Sequence, residues 1–244
     1  MKIEKKLWII LFAFGIFAIC FSGWIFRQST AREKLFWDNT IRCETKELKE
    51  GEIKSENIAL PEDFDVPKSI LFKTTHTIAE VWLDGEKIYE YGNEADAPGF
   101  MKTPGSCWHI VDIPGDSSGK NLEVRIIPVY EGYYGNEVSL VYGTRGDCIL
   151  KILTDCLGIL VISCGILFAA VICILLYCGA ARRKRSDKTE AKIEIFLNLG
   201  FFSLLVAVWT LVQCGFLQFL IPDGRTLYFV EYFSLFLFPV PFNF

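Results

Sequence analysis

Residues 78–91 read IAEVWLDGEKIYEY. Between Phe36 and Cys148 the pattern has the period of two that belongs to strands with one buried face, and within it Ile78 to Leu83 reads as a strand. Asp84-Gly85 follows, a dipeptide that accepts the positive φ angles of a tight hairpin turn, and Lys87 to Tyr91 reads as the returning strand.

The same alternation extends on both sides. Ser69 to Thr75 reads as the preceding strand, and Trp108 to Ile113 alternates up to Pro114-Gly115. Leu122, Val124 and Ile126 alternate with Glu123 and Arg125 before Pro128, and Val138, Leu140 and Tyr142 close the pattern. Short strands at intervals of about ten residues, with no amphipathic helix among them, predict an all-β jelly roll or antiparallel sandwich over residues 35–148. Such a length suffices for one core. No internal repeat or low-complexity tract interrupts the chain, and its most linker-like stretches are Gln28 to Lys34 and Gly179 to Ala191.

Beyond this middle the sequence changes character. The 244 residues are 52% hydrophobic, with a mean hydropathy of +0.33, and the apolar excess is gathered in runs. Leu7 to Phe26, Leu157 to Cys178 and Ile195 to Phe216 hold no charged residue, and each meets the requirement of about 20 residues for a spanning helix. A further run extends from Leu227 to Phe244, with Glu231 inside it. The expected organisation is a cytoplasmic tail (1–6), transmembrane helix 1 (7–26), the β domain (35–148), helix 2 (153–178), a basic loop (179–192), helix 3 (193–220) and the start of helix 4 (227–244). The first run exceeds the 7–15 apolar residues usual in a cleaved signal, so an uncleaved anchor is expected. A lipoprotein signal at Cys20 fails because bulky Ile19 precedes it.

Arg182, Arg183, Lys184 and Arg185 form the densest basic cluster and set the topology: basic loops stay cytoplasmic. Residues 27–151 are then extracellular, and Pro222-Asp223-Gly224-Arg225 is a short outer turn. The expected partners are the lipid bilayer, a small-molecule or carbohydrate ligand outside, and a second copy through the helices. The net charge of -4, with Lys and Arg concentrated beside the apolar runs while acids dominate Glu44 to Asp96, argues against nucleic acid.

Several stretches resemble one family. Phe72-Lys73-Thr74-Thr75-His76, Val81 to Tyr89 and Pro104 to Pro114 in the β domain, with Leu204 to Trp209, Leu217 to Leu220 and Tyr228 to Pro241 in the apolar part, are similar to bacterial seven-transmembrane receptors with diverse intracellular signalling modules. That resemblance spans most of Leu35 to Phe244. It implies an outer galactose-binding-like jelly roll, a helix bundle incomplete in this sequence, and a cytoplasmic output, commonly a GGDEF diguanylate cyclase or a histidine kinase, which this sequence lacks. The chain then reads as the amino-terminal part of such a receptor.

A sugar ligand needs aromatic faces and a few fixed polar groups. Trp82, Tyr89, Tyr91, Trp108, His109, Tyr133 and Tyr134 are the candidates, against the alternative that strand aromatics pack the core. Asp155, four residues after Lys151 on one helix face, and Glu231 are the polar residues of the apolar segments. Gly165, Ala169 and Cys173 form a small-residue stripe suited to close helix approach. Cys43 and Cys107 are the cysteines of the polar domain, and a bridge between them stays open. No metal motif or cofactor fingerprint is present, and neither a nucleophile elbow nor a phosphate loop, so no catalysis is expected within this chain. The expected function is the sensing and transmembrane portion of a receptor; the alternative is a membrane-anchored carbohydrate-binding or adhesion module without signalling.

Overall fold

The computed structural model describes residues 20, 23, 40–42, 54–60, 62–93, 101–130, 139–181 and 187–242. Two compact units divide the chain. One comprises Glu33–Leu153 with Ile221–Thr226, and the other Met1–Arg32, Thr154–Leu220 and Leu227–Phe244.

Among the described residues the first unit contains eight strands: β1 Thr40–Arg42, β2 Lys54–Ala59, β3 Lys68–Thr75, β4 Thr77–Leu83, β5 Glu86–Tyr91, β6 Ser106–Ile113, β7 Asn121–Pro128 and β8 Ser139–Gly143. They form two antiparallel sheets, ordered β1-β8-β3-β6 and β2-β7-β4-β5. The pairing is nested. The chain runs out through β1 to β4 and returns through β5 to β8, so that β8 pairs with β1, β7 with β2, β6 with β3 and β5 with β4.

Alternation explains the core. Ile70 and Phe72 of β3 and Val111 and Ile113 of β6 are buried, as are Ala79, Val81 and Leu83 of β4 and Leu122, Val124 and Ile126 of β7. All belong to one hydrophobic cluster, which therefore joins both sheets. Phe64, from the 3-10 turn Glu62–Asp65, is fully buried in that cluster, its ring 5.1 Å from that of Tyr142. The ammonium of Lys68 lies over both rings, at 5.2 and 5.5 Å.

The Asp-Gly hairpin forms as expected, with φ of 48° at Asp84 and 84° at Gly85. A register shift follows between Val81 and Trp82. Val81 faces Tyr89 while Trp82 faces Lys87, so Ile88 is an extra residue on β5. Beyond this bulge Tyr89 and Tyr91 lie opposite the buried Val81 and Ala79.

Helix α1 spans Arg145–Ala181, α2 Asp187–Gln213 and α3 Gly224–Phe236. α1 starts earlier than the expected 153 because Thr144 and Asp147 cap it reciprocally. The Thr144 hydroxyl accepts from the Asp147 amide (3.2 Å), and the Asp147 carboxylate accepts from the Thr144 amide (3.0 Å). α2 stops at Gln213, short of the expected 220, where Gly215 adopts φ 75° and a 3-10 turn, Phe216–Phe219, follows. Among the described residues α1 and the Glu194–Gln213 part of α2 are long and apolar enough to cross a membrane. α3 holds 13 residues. Of the first apolar run only Cys20 and Gly23 are described, both helical, and the cluster 182–185 lies outside the described residues.

Within the second unit α1 and α2 pack through small and polar groups. A Cβ on Gly200 would come within 2.8 Å of Ile174 Cγ1 and 3.3 Å of the Ala170 carbonyl and Cys173 Cβ. Cys173 of the small-residue stripe thus meets α2, whereas the buried neighbour beside it is Ala170 rather than Ala169. Ser163 Oγ donates to Thr210 Oγ1 (2.8 Å) across the same pair of helices. Gly200→Val is expected to force the helices apart at a cost of about 1–3 kcal/mol, read as a lower SDS-unfolding midpoint of the micelle-embedded chain.

Candidate functional site

The bulge in β5 and the full-length pairing of β3 with β6 bring Tyr89, Tyr91 and His109 together on the inner side of the two-sheet unit. His109 is 1% exposed. Its Nε2 bonds Thr74 Oγ1 at 2.7 Å and its Nδ1 bonds the Tyr89 hydroxyl at 2.9 Å, so both ring nitrogens are satisfied without water. Aromatic rings enclose the imidazole: Phe72 at 4.8 Å, Tyr91 at 5.0 Å and Tyr89 at 5.8 Å between centroids.

Next to it, the Tyr91 hydroxyl donates to the Pro104 carbonyl at 3.1 Å, sits 3.0 Å from Cys107 Sγ and accepts from the Gly224 amide at 2.9 Å. Cys107 is a free, buried thiol, while Cys43 lies outside the described residues. Gly224 and Arg225 belong to Ile221–Thr226, the segment that packs within the two-sheet unit.

The electrostatics of this cluster follow from burial. Desolvation drives His109 down to about 3 and is the larger cause that pushes Tyr89 up to about 12, with Cys107 adding to it. Burial, then Cys107, pushes Tyr91 up. Burial raises Cys107 as well, against the hydrogen bond shared with Tyr91. At neutral pH every member is therefore uncharged, with no thiolate to attack and no fixed charge to orient an ionic substrate. Such an arrangement positions backbone and excludes water.

The remaining candidates do not join this cluster. Trp82 lies on the half-buried outer side of β4, where its ring carries the Arg125 guanidinium at 4.3 Å and the Lys87 ammonium at 5.6 Å. Its indole N–H donates to Glu80 (3.0 Å), and Glu123 holds Arg125 through two hydrogen bonds. Trp108 alternates outward from the other sheet, with Lys73 over its ring at 5.5 Å. Tyr133 and Tyr134 lie outside the described residues. Asp155 is an exposed residue of α1, and Glu231 of α3 accepts from the Gln213 amide of α2.

Thr74, Cys107, Thr103 and Gly224 are the site residues that sequence reasoning missed. Thr103 Oγ1 is wholly buried, bonds His76 Nδ1 (2.8 Å) and accepts from the Gly105 amide (3.0 Å), shaping the turn into β6. The local signals were Pro104-Gly105, a turn dipeptide, and the turn sequence Pro222-Asp223-Gly224-Arg225. Among the described residues no cluster of His, Cys, Asp and Glu is placed to hold a metal ion.

No protein-family model matches the chain, and no curated protein matches it significantly.

Proposed function

We propose that this chain is the sensing and transmembrane portion of a membrane receptor, in which an extracellular β-sandwich of jelly-roll form binds a ligand and helices pass the change to a cytoplasmic signalling module. The observation that carries this reading is where the helices begin. Arg145, the first residue of α1, and Gly224, the first of α3, both belong to the compact unit of the two sheets. A domain whose neighbouring helices run into a bilayer needs that arrangement.

Two further observations support it. The nested strand order is that of a long hairpin rolled into two facing sheets, which is what a jelly roll requires. The apolar faces of α1 and α2 are exposed in large part, Leu175 at 64% and Ile195 at 62%, as lipid-facing residues would be. The motif resemblance to bacterial seven-transmembrane receptors fits the same picture. An adhesion module that stacks sugars on its tryptophans draws less support, because the Trp82 ring already carries Arg125.

The side of the membrane decides between readings. A phosphatase reporter fused near Gly99 is expected to be active outside the cell, and one fused near Lys184 to be silent. An active Lys184 fusion with a silent Gly99 fusion sinks the receptor reading.

A further inference from the structure

Gly224 meets the sheets with almost no free space. A Cβ at this position would overlap Cys107 Sγ and come within 2.5 Å of the Tyr91 hydroxyl and 2.7 Å of the Pro104 carbonyl. A Cβ on Gly105, which sits at φ 83°, would overlap the Gly224 carbonyl. Backbone therefore rests on backbone, and only two glycines allow it.

Most polar groups at this contact are matched as closely, Arg225 Nε being buried without a hydrogen-bond partner among the described residues. A phenol hydroxyl donates once and accepts twice. Tyr91 donates to Pro104, accepts from the Gly224 amide and shares a third hydrogen bond with the Cys107 thiol, in which either group can be the donor. As the first residue of α3, Gly224 has an amide with no acceptor inside the helix, so Tyr91 supplies the one it has. Arg225 Nη2 donates to the Asn93 carbonyl at 2.6 Å, just past the end of β5. Asp223 closes the turn by accepting from the amides of Arg225 and Thr226 and from the Thr226 hydroxyl (2.6 Å).

We propose that Ile221–Thr226 is a latch: it fixes the first turn of α3 to the end of β5 and the turn before β6, so that a shift in either strand is passed along the backbone into α3. The pieces on the strand side are Tyr91, Asn93, Gly105 and Cys107; those on the helix side are Asp223, Gly224 and Arg225. Tight backbone packing passes displacement rather than absorbing it, because such contacts are either seated or broken. The use of this latch as a signal path rests on the receptor reading above, whereas the latch itself rests on these contacts alone.

Coupling between two sites must be reciprocal, and this gives the test. Hydrogen–deuterium exchange is measured on the full chain in micelles. Tyr91→Phe, which keeps the ring and removes the hydroxyl, is expected to speed exchange of residues 221–226 about tenfold. Asp223→Ala, made on the helix side, is expected to speed exchange of residues 86–93 at least threefold. Gly224→Ala should do both, and exchange in β3 and β7 should stay at the parent rate. Unchanged exchange in 221–226 for Tyr91→Phe, or in 86–93 for Asp223→Ala, overturns the latch. The Gly99 reporter is independent of this result: a cytosolic Gly99 removes the receptor reading and leaves the latch standing, and an external Gly99 with unchanged exchange does the reverse.

Discussion

Lowering the pH from 7 to 4.5 is expected to cost the two-sheet unit about 2–3 kcal/mol through His109 alone. The sign follows from its surroundings. Burial among Phe72, Tyr89 and Tyr91 lowers the folded-state value to about 3 from an ordinary 6.5. The folded imidazole stays neutral through this window while the unfolded one takes up a proton below about 6.5. The stability contribution is complete above the unfolded value and falls by roughly 1.4 kcal/mol per pH unit down to the folded value. His76, also lowered by burial, adds to the loss in the same direction. Asp223 contributes outside this window: its value lies below 3.8 because its hydrogen bonds from Thr226 and Arg225 outweigh the effect of burial, so its share is lost only at lower pH.

The measurement is urea unfolding of the full chain in micelles, followed by tryptophan fluorescence at both pH values. His109→Gln keeps a donor and an acceptor but cannot titrate. It should lower stability at pH 7 and flatten the fall between pH 6.5 and 4.5. An equal fall in parent and variant would rule out His109 as its source.

Much of this fold is written locally. The strands from Ser69 onward are legible because alternation, hairpin dipeptide and turn residues agree, and β3 to β8 fall where those signals put them. β2 is different. Its sequence KSENIA shows neither alternation nor an apolar run, and it is a strand because β7 pairs with it from Lys54↔Ile126 to Ala59↔Asn121. The three residues of β1 are too short to carry a pattern and exist through β8. The capping pair Thr144 and Asp147 was readable in principle, being a Thr followed three residues later by an acid ahead of an apolar run.

The site was legible only as a set of residue types. Aromatics at alternating positions identify themselves, but the face each takes depends on register, and a one-residue slip reverses it. The bulge at Ile88 decides that Tyr89 and Tyr91 turn toward His109, and no residue in EKIYEY announces it. Gly224 lies 133 positions from Tyr91, so their contact is invisible to any local pattern.

That division between inner and outer aromatics has the largest consequence for stability. Phe72 is fully buried, belongs to the core shared by both sheets and lies tilted against the His109 ring at 4.8 Å. Truncating it empties a ring-sized volume that close-packed neighbours cannot refill, and Phe72→Ala is expected to cost about 3–5 kcal/mol. Against a total of roughly 5–15 kcal/mol for a domain, that is a large part of the stability. Trp82 is the larger side chain, yet Trp82→Ala should cost less, about 1 kcal/mol, because its outer position forfeits the contacts with Arg125 and Lys87 rather than core packing. The comparison is made by urea unfolding of both variants at pH 7, followed by far-ultraviolet circular dichroism so that loss of the tryptophan does not alter the probe. Should Trp82→Ala prove as costly as Phe72→Ala, the shared core would not lie where the alternation of β4 puts it. If instead the small cost holds, the outer face of β4 lies outside the core shared by both sheets, as the burial alternation of that strand implies.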